Sequence, residues 1–258
     1  YGAANQLGYQ YSDGEYLFLI DGDMELNFTF ISEALKYIEA HPKVAGVGGI
    51  IHDTQIKTPA DKRRADHYAE VNKTSTVCSL GGGGLYRRKA IEEVGYLSNR
   101  NLLACEELEL GLRLKGAGWS LVRLPILAAI HTGHNESSIT MLQRLWKNRR
   151  LHAYGVFLRT ALGTAWWWPS IRKTWFLFAA PLLYFFSIAL AFFIQDIGFG
   201  LLSACLISIT LFFGCTFTLL WKKKKSALDA LIAIISWHIL SVAAVGGFAS
   251  NIINPNKP

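Results

Sequence analysis

Apolar residues follow two regimes along the chain. Up to about residue 173 they come in short runs broken by polar and turn residues; beyond it, almost purely apolar blocks take over. In the first regime, Tyr16-Leu17-Phe18-Leu19-Ile20 reads as a buried strand that ends in Asp21-Gly22-Asp23. A short helix and turn, Gly2 to Gly14, lead into it. Phe30, Ile31, Ala34, Leu35 and Ile38 then recur at helical spacing until His41-Pro42 stops them. Val44 to Ile51 reads as a second buried strand, and the polar stretch 53–70 as a loop or exposed excursion.

Further on, Val77 to Leu80 precedes four glycines, Gly81 to Gly84, then Leu85 to Arg88 and a short helix that Gly95 is placed to stop. Strands alternating with helices predict an α/β domain with a largely parallel sheet. The segment Cys105 to Leu114 is ambiguous. Its leucines alternate as in a strand, while Glu106/Glu109 and Glu109/Arg113 are helical pairs. Strong helix formers and a stop at Gly116 favour a helix. A strand at Ser120 to Leu124 closes the domain.

The second regime predicts three membrane spans, about 175–194, 199–221 and 230–248, within a region 175–258. Segment 138–174, rich in Arg, Trp and Leu, reads as an amphipathic helix in the headgroup layer, an ordinary surface helix being nearly as good a reading. Residues 1–137 form the globular domain. Arg172-Lys173 and Lys222 to Lys225 fall on one side if the first two spans form a hairpin. The positive-inside rule then puts domain and lysines in the cytoplasm and the C-terminal tail outside.

The net charge of +7 on 258 residues changes this picture little. Much of the excess lies beside the apolar blocks, which favours a membrane surface over nucleic acid. The four cysteines show no CxxC spacing, so neither a disulfide framework nor a zinc site is indicated.

Candidate chemistry begins at Asp21 and Asp23. Residues i and i+2 of an extended chain point the same way, so both carboxylates can face one ligand. Hard oxygens there suit Mg²⁺ or Mn²⁺, and hence a diphosphate. The bland reading is an Asp-Gly turn. An EF-hand is excluded, because Leu26 and Ser32 occupy its Gly and Glu positions. Gly81 to Gly84 is not a phosphate loop, since no Gly-Lys-Ser/Thr follows.

Taken in order, Ala4-Asn5-Gln6-Leu7-Gly8, the Tyr16–Asp23 strand with its D-x-D, Gly81 to Glu93, and Glu106-Glu107-Leu108-Glu109-Leu110 with Arg113 and Gly118-Trp119 resemble a membrane-anchored family 2 glycosyltransferase with a GT-A domain. The resemblance covers roughly residues 3–146. It implies a partial GT-A (nucleotide-diphospho-sugar transferase) Rossmann-like domain, lacking its first strands, followed by about three transmembrane helices. On this reading the chain is the remainder of a longer protein.

The implied activity moves a sugar from a nucleotide-sugar donor to a lipid-linked or cell-envelope glycan acceptor, with inversion, at the cytoplasmic face of a bacterial membrane. The implied roles are Asp23, Asp21 and His131 for the metal, Asp21, Asp23 and Asn5 for the donor, Gly83, Gly84, Glu106 and Arg113 for acceptor or sugar, and Glu107, with Glu106 next, for the catalytic base. His134 flanks His131 across Thr132-Gly133. Gln143-Arg144-Leu145-Trp146 has leucine before its tryptophan, which breaks the processive-synthase motif. The competing class is an inactive glycosyltransferase-like membrane protein that binds a glycan or a partner. A transporter is disfavoured, because the spans carry almost no ionisable group besides His238.

Overall fold

The computed structural model describes residues 2–56, 59–132 and 137–255. Its core is one mixed sheet built from β1 (Tyr16–Ile20), β2 (Met24–Leu26), β3 (Val44–Asp53), β4 (Ser75–Val77), β5 (Gly83–Arg87) and β6 (Ser120–His131), in the order β1-β5-β3-β6-β2 with β4 also beside β6. β5 runs antiparallel to both β1 and β3, while β3 and β6 are parallel. Thus β1, β3 and β6 share one direction, as the alternation with helices predicts. The expected largely parallel sheet stops there. β5 enters reversed after the glycine bend, and β2 and β4 are short antiparallel partners of β6.

Helices α1 (Gly2–Gln10), α2 (Phe28–Ala40), α3 (Pro59–Ala69), α4 (Arg88–Glu93) and α5 (Glu106–Gly116) belong to this domain. The helically spaced Phe30, Ala34 and Ile38 are fully buried against Val47, Leu85, Val122 and Leu124. Each large apolar side chain so buried contributes on the order of 1.5–3 kcal/mol. Leu110 and Leu114 of α5 and Ile91 of α4 join Leu17, Leu80, Tyr86 and Leu121 in a second cluster.

Two expectations change. The polar stretch after β3 contains the helix α3, not a loop, because Arg64 ties it to the sheet through Asp53. The last strand also runs past Pro125 to His131. Its register against β3 shifts between Gly48 and Ile50, and on its other edge β4 pairs residues 121–123 while β2 pairs 129–131. Pro125 falls in the gap between those partners, where a missing N–H breaks no ladder bond on that edge.

Residues 138–173 fold into α6 (Ser138–Lys147), a 3-10 turn (Arg150–His152), α7 (Ala153–Ala161) and α8 (Trp167–Lys173). Phe157 and Ala161 of α7 are fully buried, in a cluster that includes Leu102 and Leu112 of the domain and Leu177 and Ala244 beyond it. The apolar blocks form α9 (Phe176–Asp196), α10 (Leu201–Lys224) and α11 (Ala227–Phe248), each long and apolar enough to cross a membrane.

The end of α11 lies against α7. A Cβ on Gly155 would stand 1.9 Å from the Ala244 carbonyl oxygen, and one on Gly247 1.9 Å from that of His152. The tail after α11 is not remote from the domain. Asn101 donates to the Ile253 carbonyl at 2.7 Å and accepts its N–H at 2.9 Å, while Arg159 donates to the carbonyls of Phe248 and Ser250. The expectation of a tail across the bilayer from the domain therefore fails, because the last turns of α11 are held on α7.

Candidate active site

The two aspartates bracket a tight turn between β1 and β2. The Asp21 main-chain carbonyl accepts the Met24 N–H at 3.1 Å and the Asp21 N–H donates to the Gly82 carbonyl at 3.1 Å; the Asp23 main-chain carbonyl accepts the Thr132 N–H at 3.0 Å. The Asp-Gly turn and the acidic pair are one feature. Opposite lies the glycine bend. Gly81 and Gly82 have φ of +73° and +68°, and a Cβ on Gly82 would meet Met24 Cε at 2.5 Å and Asp21 Oδ2 at 3.1 Å. Only glycine gives both the left-handed backbone and the space.

That bend holds the candidate base. Gly82 N–H donates to Glu107 Oε1 at 2.6 Å. Glu107 lies in the first turn of α5, which begins after Cys105, a residue forced to φ +67°. Burial is the main cause that pushes the Glu107 carboxyl up to about 7; Asp21 and Glu106 add to it, and the Gly82 N–H and Arg123 oppose it. Asp21 is raised too, first by burial and then by Asp23 and Glu106, against His131 and Arg150. Asp21, Asp23, Glu106 and Glu107 thus form one acidic group that is short of positive charge.

Around the expected His131 the structure adds Asp53 and Arg64, which the sequence reading missed. His131 Nε2 stands 3.4 Å from Asp23 Oδ2, and His131 Nδ1 stands 2.5 Å from Asp53 Oδ1. Asp53, with a fully buried side chain, also accepts two bonds from Arg64, at 2.8 and 2.9 Å. Burial acts to raise the Asp53 pKa, and the Arg64 and His131 bonds and charges reverse it, so it lies below the usual carboxylate value. Behind the bend, Arg123 donates to the Leu80 carbonyl at 2.7 Å and lies over the Tyr68 ring at 4.8 Å. A polar segment after a strand gave no signal for Asp53; its pairing with His131 appears only once β3 and β6 are neighbours.

Other expected site residues lie elsewhere. Arg113 holds the buried Glu109 with two bonds, at 2.9 and 3.0 Å, donates to the Val94, Tyr96 and Leu97 carbonyls and stacks on Tyr96. It fastens α5 to the 94–97 loop. Gly83 and Gly84 are buried in β5, paired with Ile20 and Leu19, so Gly82 is the glycine at the site. Asn5 is half-buried on α1, whose Gln6 accepts the N–H groups of Leu97 and Ser98. His134 lies outside the described residues.

The donor types fit a divalent ion: two hard carboxylates and an imidazole at Asp21, Asp23 and His131. Among the described residues no three such side chains converge into a ready-made cage. Mg²⁺-type ions take one or two carboxylates plus substrate phosphates, so an incomplete protein set fits an ion that binds together with a diphosphate.

Comparison with curated proteins finds no significant match. Among solved structures, the chain is similar to the mannosyltransferase PcManGT from Pyrobaculum calidifontis, in complex with GDP-Man and Mn²⁺. That match has a TM-score of 0.56 and 14% identity, and covers 96% of this chain and 66% of that one. It is more distantly similar to S. aureus TarS 1–349 in complex with UDP-GlcNAc (TM-score 0.47, 12% identity, 96% and 72% covered). At such identities the first match speaks for the fold alone, and this chain spans about two thirds of that protein. The family model "Glycosyl transferase family group 2" matches residues 16–245, from β1 through nearly all of α11. The chain belongs to glycosyltransferase family group 2.

Proposed function

We propose that this protein transfers a sugar, with inversion, from a nucleotide-sugar to a hydroxyl of a lipid-linked or envelope-glycan acceptor at a membrane face. The observation that carries the proposal is Glu107. Its carboxyl sits across the glycine bend from the aspartate turn, held by one backbone N–H and with its pKa near neutrality. A general base works best when its pKa lies near the working pH.

In the proposed reaction Glu107 takes the proton of the acceptor hydroxyl as its oxygen attacks the anomeric carbon. The bond from that carbon to the diphosphate oxygen breaks on the opposite face, giving an inverted glycoside and a nucleoside diphosphate. When bound, a Mg²⁺ or Mn²⁺ would supply positive charge to the leaving diphosphate. Asp21, Asp23 and His131 would hold the ion and align the donor. Gly82 lets the bend approach the turn closely, with Met24 and Asp21 packed where a side chain would stand. The Mn²⁺ and nucleotide-sugar of PcManGT support this reading.

In this proposal residues 1–137 form the catalytic domain, 138–174 the junction with the membrane and 175–258 the anchor. Lys222 to Lys225, at the end of α10, favour a cytoplasmic domain under the positive-inside rule. The test is turnover of common nucleotide-sugars by the detergent-solubilised protein with Mn²⁺ and with chelator. Metal-dependent release of nucleoside diphosphate is expected. Glycan binding without turnover under either condition would instead establish an inactive binding module.

A further inference from the structure

We propose that Asp53, anchored by Arg64, is a positioning residue that fixes the His131 imidazole with Nε2 toward Asp23 on the metal-holding side of the site. This rests on the reading of His131 as a metal ligand. The backbone of His131 is held on both edges. It is paired with Asp53 of β3 on one edge and Met24 of β2 on the other, and its carbonyl accepts the Thr54 N–H at 3.0 Å. Two side-chain torsions remain, and Asp53 removes them.

Asp53 and His131 are direct partners on parallel strands, and their side chains meet at 2.5 Å. The two-pronged Arg64 grip keeps Asp53 an acceptor-only carboxylate, with its Oδ1 shared between Arg64 Nη2 and His131 Nδ1. The imidazole must therefore donate from Nδ1. In the neutral ring that leaves the Nε2 lone pair on the side of Asp23, 3.4 Å away. Had Arg64–Asp53 served only to tie α3 to the sheet, the ion pair would suffice and the third partner would be superfluous.

The experiment titrates Mn²⁺ alone into the detergent-solubilised protein, following free Mn²⁺ by electron paramagnetic resonance. Nitrogen-15 NMR on the metal-free protein reads the His131 tautomer. Asp53→Asn is expected to weaken Mn²⁺ binding about 10–100-fold, and to turn a ring protonated on Nδ1 into a tautomer mixture. His131→Ala should lose as much, and the double variant no more than the larger single loss. Asp53→Glu should recover part of the affinity, and Arg64→Lys should lose several-fold.

A folded Asp53→Asn protein that binds Mn²⁺ like wild type overturns the proposal, as does a neutral wild-type ring, read above the pH at which it loses its second proton, with its proton on Nε2. Should Asp53→Asn fail to fold, Arg64→Lys decides: wild-type affinity there overturns the proposal as well. If His131→Ala leaves Mn²⁺ affinity unchanged, the metal reading of His131 falls instead, and the tautomer still shows whether Asp53 orients the ring.

Discussion

Two carboxylates two residues apart on α5 live in opposite surroundings. Glu109 is completely buried, yet Arg113 meets both of its oxygens and the Tyr96 hydroxyl donates to it at 2.5 Å. Glu107 has one backbone N–H and further acids for company. One site is electrostatically closed and the other is left wanting a proton or a cation. A carboxylate held in this way ties a fold together and is poorly placed to take a proton, because both of its oxygens are already engaged by a paired cation and a hydroxyl. The shift at Glu107 is the measurable difference between the two.

The comparison can be broken most sharply at Glu107. Glu107→Gln keeps an oxygen for the Gly82 N–H but cannot take a proton. Turnover should fall by about 10²–10⁴-fold, with little change in thermal midpoint. In the wild type, kcat/KM should rise with pH through about 7, and this limb should vanish in the variant. The stability sign is opposite. A carboxyl raised from 4.5 to about 7 favours the folded state fully below 4.5, and that contribution is lost as pH rises through about 7. A large loss of stability with turnover intact would make Glu107 another Glu109.

Glu109→Ala should do the reverse. Leaving Arg113 without its partner should cost about 3–5 kcal/mol of stability, read by chemical unfolding, while turnover per folded molecule stays near wild type. The smallest effect belongs to the glycine bend that holds Glu107. Gly82→Ala should lose about 1–2 kcal/mol from its left-handed backbone, and its methyl would press on Met24 and Asp21. We expect roughly tenfold slower turnover, with a higher KM for the donor. An unchanged KM would show that the space beside Asp21 is not used by the donor.

What the sequence showed of all this depended on range. β1, α2 and the apolar helices were legible because their periodicities are local. The ambiguous α5 resolved as helix from its Glu-Leu composition and the Gly116 stop. Asp21, Asp23, Glu106 and Glu107 were legible as residues, but their closeness was not, since it needs the glycine bend to join β1 to α5. Asp53 and α3 were invisible for a simple reason. A polar stretch reads as solvent-exposed unless one knows that Arg64 reaches a buried carboxylate 11 positions away. The last strand, read only to Leu124, runs on past Pro125 because its partner strands on one edge leave that proline a gap.

The seam between α7 and α11 has a mechanical consequence. At Gly155 and Gly247 main chain lies directly on main chain, with no side chain between to compress or rotate. Main-chain contact this close resists sliding of α11 over α7, so the two helices move as one piece.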